Sequence, residues 1–420
     1  MLNAELSNIW GSISLPALLQ QEKTIFDAHL RLRSNEPDEI APFAWLGAPD
    51  AVTAKNLHAV RTLADQIRTS CDLLVVVGGG TAFLAAKAAV RFLSAQNPPQ
   101  KPETVFFSGD LSSAAWRGLC AKMEGREVCL LLIMPNGTQT EAAVASRGMR
   151  WLLERRYGSQ SKKRVFTVSL PDSPIAQMAH EGGFAFLPLP TEPFGDRSSL
   201  TNAVLLPVCA AGFDPLGILE GACEAYRQMD LRAFENPAWM YTGARYCLKK
   251  SGKAAELLCA FDPSLSALCA WWKELFLRTT VRGQKGLIPM TALLPAELDA
   301  LDAAFSADAS PIFMNHLRIC AQNSRRVGVE MDWKDYDGLG NLSGKMLEDV
   351  EQAEYETACE VFSERGAAML SLELDGADEY HLGELFYFFE LCALLSAQAD
   401  EIAPEKGELR EAIMQTLGRA

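Results

Sequence analysis

Apolar residues in this chain alternate between short unbroken runs and longer stretches at helical spacing. Between residues 61 and 190 the short runs fall at 73–77, 104–107, 129–134, 164–168 and 184–187. Each is the length of a buried parallel strand. Each ends in small or polar turn residues, among them Gly78-Gly79-Gly80-Thr81, Ser108-Gly109-Asp110 and Asp172-Ser173-Pro174. Helical patterns fill the gaps, so the region reads as a doubly wound sheet whose ligands sit at the carboxyl ends of the strands. A helical stretch over 199–250 follows, with Pro207 and Pro215 as punctuation. Alternation then resumes, with strands at 256–261, 286–293, 311–319 and 367–374 and helices around Trp271-Trp272, over 339–362 and over 379–397. The pattern predicts an α/β protein of two units, each a mainly parallel sheet sandwiched by helices. Its segments are a helical cap or arm over 1–60, a first unit over 61–235, a second over 236–398, and a C-terminal helical segment over 399–420.

Composition narrows the partners. A formal charge of −14 over 420 residues argues against nucleic acid or an anionic membrane, while leaving room for an anionic small ligand held in a local positive field. The 11 cysteines include no C-x-x-C pair, and Cys129, Cys209, Cys259 and Cys392 lie in apolar runs. That pattern fits reduced thiols packed as small hydrophobes in a reducing cytosol. The five histidines are scattered, so no metal site is expected. The opening decapeptide, MLNAELSNIW, lacks the basic-then-apolar order of a signal peptide, and glycines interrupt the apolar window over 73–90.

The stretch over 129–157 carries the sharpest chemical pattern: a buried strand, the turn Pro135-Asn136-Gly137-Thr138-Gln139-Thr140, then a long helix. The first amides of a helix lack intrahelical partners and its dipole favours negative charge there, so such a turn can cradle a phosphate. The same residues also fit a plain capping box, with Thr138 as N-cap and Glu141 three residues on. Gly78-Gly79-Gly80-Thr81 permits close backbone approach but does not satisfy G-x-G-x-x-G, because Phe83 stands where the motif continues. There is no P-loop lysine, and no nucleotide cofactor is expected. Arg197, in Gly195-Asp196-Arg197, is either a surface residue paired with Asp196 or a clamp on a developing oxyanion. His381, in Asp378-Glu379-Tyr380-His381, fits the capping region of a helix start.

Taken together, several segments resemble the phosphoglucose isomerase family over about residues 60–420. Gly78-Gly79-Gly80-Thr81-Ala82 is similar to that family's G-I-G-G-S loop, and Met134 to Glu141 to its S-K-S-G-T-T-T-E phosphate loop. Gly195-Asp196-Arg197 reaching Leu205-Leu206-Pro207 looks like its G-G-R signature. Asn236-Pro237-Ala238, Trp271-Trp272-Lys273-Glu274-Leu275-Phe276, Asp337-Gly338-Leu339 with Gly344-Lys345, and Asp378-Glu379-Tyr380 through Phe388-Phe389-Glu390 match the bacterial form. The resemblance implies two sugar-isomerase-type (SIS) subdomains, a homodimer in the cytoplasm, and a sugar phosphate of the glucose 6-phosphate or fructose 6-phosphate type. The implied ligand contacts are Gly79, Gly80, Thr81, Asn136, Gly137, Thr138 and Thr140.

Three departures bear on the chemistry. Aldose-ketose isomerisation passes a proton between carbons 2 and 1 through an enediolate, which requires a base with an accessible unprotonated form. Arg278 stands at the place of the family's base glutamate and stays protonated. The place of the ring-opening histidine falls on Phe362 without a gap, or on Val361 with a one-residue shift, and Arg410 falls near that of the C-terminal lysine. Arg197 keeps the place of the oxyanion arginine. Two serines of the phosphate loop have become Met134 and Asn136, and the last serine of the glycine loop is Ala82. Three functions follow as expectations: a sugar-phosphate-binding relative with lost or weak isomerisation, an active isomerase whose base is relocated, with Glu274 as the candidate, or a structural or regulatory dimer that keeps only the fold.

Overall fold

A computed structural model describes residues 2–33, 54–97, 101–108, 110–137, 139–190, 198–229, 236–283, 285–305, 310–320 and 327–402, and a few positions from 412 to 418. In chain order its elements are β1 (Asn3–Glu5), α1 (Leu15–Leu19), α2 (Glu22–Arg33), α3 (Ala54–Ser70), β2 (Leu73–Gly78), α4 (Gly80–Gln96), β3 (Glu103–Phe107), α5 (Ser113–Met123), β4 (Val128–Ile133), α6 (Thr140–Tyr157), β5 (Val165–Ser169), α7 (Pro174–Gly182) and β6 (Ala185–Pro188). There follow α8 (Asn202–Ala210), α9 (Pro215–Met229), α10 (Pro237–Lys250), β7 (Ala255–Ala260), α11 (Ser266–Thr280), β8 (Ile288–Leu293), α12 (Leu298–Ala304), β9 (Ile312–Ile319), α13 (Leu347–Glu364), β10 (Met369–Leu374) and α14 (Glu379–Ala399).

Two five-stranded sheets form the frame. The first runs β3-β2-β4-β5-β6 and is parallel throughout. The second runs β1-β10-β9-β7-β8, parallel except for the antiparallel edge pair β1–β10. In each, setting aside the added edge strand β1, the strand that comes first in sequence sits inside the sheet. Its successor flanks it on one side and the next strand on the other, which is the flavodoxin-like order with its ligand crevice at the reversal. That reversal lies between β2 and β4 in the first sheet and between β7 and β9 in the second. The chain is therefore α/β with two units, each a mainly parallel sheet sandwiched by helices, as its sequence pattern predicts.

Strands β2 and β4, LLVVVG and VCLLLI, are buried on both faces, which only helices on both sides allow. One face of the first sheet packs against α5, α6 and α7 through Leu119, Met149, Leu153 and Ile175. Its other face joins one large core with α3, α4, α8, α9, α11, α14 and the inner face of the second sheet. The outer face of the second sheet is closed by α12 and α13 through Phe305, Tyr355, Cys359 and Phe362. Side-chain caps set several helix starts: Ser112, Ser173, Thr201, Asn236 and Asp378 each accept a hydrogen bond from a first-turn amide.

The very apolar α14 is the axis of the central layer and is buried along nearly its whole length. It is the one helix among the described residues long and apolar enough to cross a membrane, and the fold itself covers it. Helix α9 lies directly against it. A methyl group at Gly221 would meet the Tyr380 carbonyl oxygen at 1.8 Å, and one at Gly383 would meet that of Ile218 at 1.9 Å. The apolar surface of α14 is thus spent inside one chain and gives no reason to expect a second.

Three local expectations are corrected. The cap over 1–60 opens with a strand, β1, that completes the second sheet. The helix expected over 339–362 starts only at Leu347, because Gly338 and Gly344 take positive φ (72° and 79°) and a single 3-10 turn occupies Gly340–Leu342. Pro207 interrupts nothing: it lies inside α8. Most of the C-terminal helical segment expected over 399–420 lies outside the described residues.

Candidate functional site

The register of β2 on β4 pairs Val77 with Leu132 and Gly78 with Ile133, so the loops leaving the two strands start side by side. After β2 the backbone turns at once into α4, with Gly79 as N-cap and Gly80 at φ 72°, a conformation that favours glycine. Thr81 is buried in the first turn of α4. After β4 the turn is tied to β5: the Met134 amide donates to the Val168 carbonyl (3.2 Å) and the Leu170 amide to that of Pro135 (3.0 Å). Met134, where the family motif has serine, is 3% exposed and packs with the outer core of the first sheet. Asn136 is exposed, Gly137 has φ 67°, and Thr140 opens α6 half-buried.

Two helix N-termini thus flank one crevice, and the turn Asn136 to Thr140 faces the glycine loop. The bridge between them is Gln139. A Cβ built on Gly79 would lie 1.8 Å from Gln139 Oε1, and one on Gly80 2.9 Å from Gln139 Nε2. The side-chain amide is therefore laid against the glycine backbone. The N-cap of α6 is Gln139, whose side chain makes no capping hydrogen bond, which corrects the expected capping box built on Thr138. Thr138 itself lies outside the described residues, as do Arg197 and Arg410.

The loop after β6 is anchored at both of its described ends. The Leu189 amide donates to the Ser169 carbonyl (2.8 Å), and Asn202 Nδ2 donates to that of Pro188 (2.8 Å). Where the chain returns, the Ser199 amide and hydroxyl both donate to Glu390 Oε1, at 3.1 and 2.7 Å. Glu390 is fully buried on α14. Glu390 closes the segment Phe388-Phe389-Glu390 of the family resemblance, but its contact with Ser199 could not be read from that motif.

The remaining candidates are dispersed. Glu274 and Arg278 share a face of α11 one turn apart, and Arg278 Nε donates to Glu274 Oε1 at 2.5 Å. Phe362 is 2% exposed and packs edge-to-face on Phe305 at 5.7 Å, on the outer side of the second sheet. Within this chain it is a core residue, away from the β2–β4 crevice. His381 belongs to the start of α14, where its amide and Nδ1 both contact Asp378 Oδ1, at 3.0 and 2.6 Å. Burial works against the Asp378 carboxylate, but the hydrogen bonds from His381 outweigh it and hold the carboxyl below its ordinary range.

No family model matches the chain. Individual relatives do. The glucose-6-phosphate isomerase of Symbiobacterium thermophilum is 30% identical over 393 residues, spanning 90% of this chain and 86% of its own. That of Bacillus cytotoxicus is 29% identical over 364 residues, 84% and 80% of the two chains. Among solved structures, a hypothetical protein from Thermus thermophilus superposes with a TM-score of 0.89 at 19% identity, covering 100% of this chain and 99% of its own. A glucose-6-phosphate isomerase from Chlamydia trachomatis superposes with a TM-score of 0.74 at 13% identity, covering 94% and 78%. The two structures share the fold, and the identity and coverage of the sequence relatives settle the kinship: this chain belongs to the glucose-6-phosphate isomerase family.

Proposed function

We propose that this protein binds a sugar phosphate of the glucose 6-phosphate or fructose 6-phosphate type in the β2–β4 crevice and has lost most of the aldose-ketose isomerisation of its relatives. One observation carries the binding reading: at the reversal of a doubly wound sheet, two helix N-termini and a turn of small and hydroxylic residues converge on one crevice. The phosphate belongs at the amides of Gly137 to Thr140, helped by the hydroxyls of Thr138 and Thr140. The sugar then extends over the glycine loop. The loss of turnover follows from the chemistry of the base. Arg278 cannot accept a proton, and the nearest carboxylate on its helix, Glu274, is engaged by Arg278 itself. The protein is a cytoplasmic homodimer in this reading, following its family.

Replacing Thr138 and Thr140 together with alanine is expected to weaken 6-phosphogluconate binding by about 1 to 3 kcal/mol, read by titration calorimetry. An unchanged affinity would remove the phosphate assignment. In a steady-state assay with glucose 6-phosphate the wild type is expected to show a trace rate at most. Robust turnover that collapses in Glu274→Gln would replace this reading with that of an active isomerase whose base is Glu274. Restoring the family's histidine at Phe362 is not a useful control, because that side chain is part of the outer core.

A further inference from the structure

Besides the positive φ that Gly80 adopts, the missing side chains of Gly79 and Gly80 let another group approach the backbone closely. Here that approach is already taken. The Gln139 carboxamide rests on Gly79 and Gly80, its oxygen 1.8 Å and its nitrogen 2.9 Å from where the two methyl groups would be. While the amide stays, no ligand atom can take the space over these two Cα atoms. The phosphate-loop motif has threonine at this place, a side chain two heavy atoms shorter that would leave the glycine loop bare. Gln139 is half-buried rather than locked in the core, so its terminus can turn away at the cost of a rotamer change.

We propose that Gln139 is the specificity-determining residue of the crevice, an internal occupant that competes with the carbon body of a phosphorylated ligand but not with its phosphate. The inference rests on the sugar-phosphate reading above and adds what selects among ligands. A phosphate at the first turn of α6 needs only the amides and hydroxyls of that turn. A six-carbon chain attached to it must cross the crevice from the end of β4 to the end of β2, and so must displace the amide. Inorganic phosphate and short phosphorylated acids fit without that displacement.

The test is a pair of titrations, with inorganic phosphate and with 6-phosphogluconate, on wild type, Gln139→Ala, Gln139→Thr, Gly79→Ala and the double variant Gly79→Ala with Gln139→Ala. Thermal melts check that each is folded. Gln139→Ala and Gln139→Thr are expected to bind 6-phosphogluconate at least tenfold more tightly and phosphate within threefold of wild type. The Gly79→Ala background should abolish the gain, because a methyl group fills the space the amide vacates; this non-additivity is the signature of shared occupancy. Phosphate binding with an unchanged or lowered preference for 6-phosphogluconate in Gln139→Ala overturns this inference and leaves the proposed function standing. No binding of either ligand to any folded variant overturns both.

Discussion

The two sheets share one strand order, yet their crevices have opposite contents. At the β2–β4 reversal the chain places glycines, a threonine and a polar turn. At the β7–β9 reversal it places Phe261, which packs edge-to-face on Tyr355 at 5.7 Å, and Arg318, whose guanidinium stacks on the same Tyr355 ring at 3.7 Å. Arg318 is further held by Glu373 and Gln352. The first reversal carries the helix N-termini and polar turn on which the proposed anion site rests, and the second is filled by its own side chains. A duplicated architecture therefore says where a site can be, and the residues at the strand ends say whether there is one.

The contrast extends into the strands. The first sheet's β2 and β4 are apolar at their centre, whereas β7 carries Glu256, fully buried and bonded to Arg245 Nε (2.6 Å), Tyr241 OH (2.5 Å) and Asn315 Nδ2 (3.2 Å). Burial alone would lower the Arg245 pKa, and Glu256 more than reverses that. Burial and Glu256 together push the Tyr241 hydroxyl well above its ordinary range. Removing one partner of such a pair strands the other charge. Glu256→Ala is expected to cost about 3 to 5 kcal/mol in urea unfolding, the largest effect of any change discussed. A loss under about 1 kcal/mol, the scale of a single hydrogen bond, would show that the second sheet does not depend on its polar centre.

A somewhat smaller effect should appear on acidification. His316 on β9 is fully buried, and burial, followed by the Arg318 charge, lowers its pKa to about 4. The unfolded chain takes up this proton near pH 6.5, before the folded one does, so stability is full above that value and falls as the pH drops towards 4. The loss is on the order of 3 kcal/mol between those limits. His316→Phe should flatten the slope of unfolding free energy over that window. An equally steep slope in the variant would place the acid-sensitive group elsewhere.

The smallest effect is also the most discriminating between the two crevices. Arg318→Gln should cost roughly 1 kcal/mol of stability through lost stacking and hydrogen bonds. It should leave phosphate binding within about twofold of wild type, a bound smaller than the loss of a single hydrogen bond would give. A marked loss of phosphate affinity would mean that the second crevice binds it after all.

Much of this was legible in the sequence because it is local. Unbroken apolar runs marked β2 and β4, and small residues after them marked the loops that meet. What escaped notice depended on distance. Three residues, Asn3–Glu5, form a strand only because β10 offers them an edge. Phe362 aligns with a catalytic position, but its neighbours Phe305 and Tyr355 make it a core residue, and Phe305 comes from a distant part of the chain. The contact of Gln139 with the glycine loop depends on β2 and β4 being neighbours, and that of Glu390 with Ser199 on two segments 191 residues apart.

The pairing of Asn3 with Glu373 has a consequence for how the protein is made. During synthesis the first residues of the chain must wait until almost everything else has left the ribosome before they find their place. Until then the outer edge of β10's future sheet has no cover, and the half-built second unit offers open backbone to any passing strand. The first unit has all its strands between residues 73 and 188 and can close its sheet long before. Folding is thus expected to be lopsided in time: an early half that forms as it emerges, and a late half that is sealed by residues 3–5, made long before it.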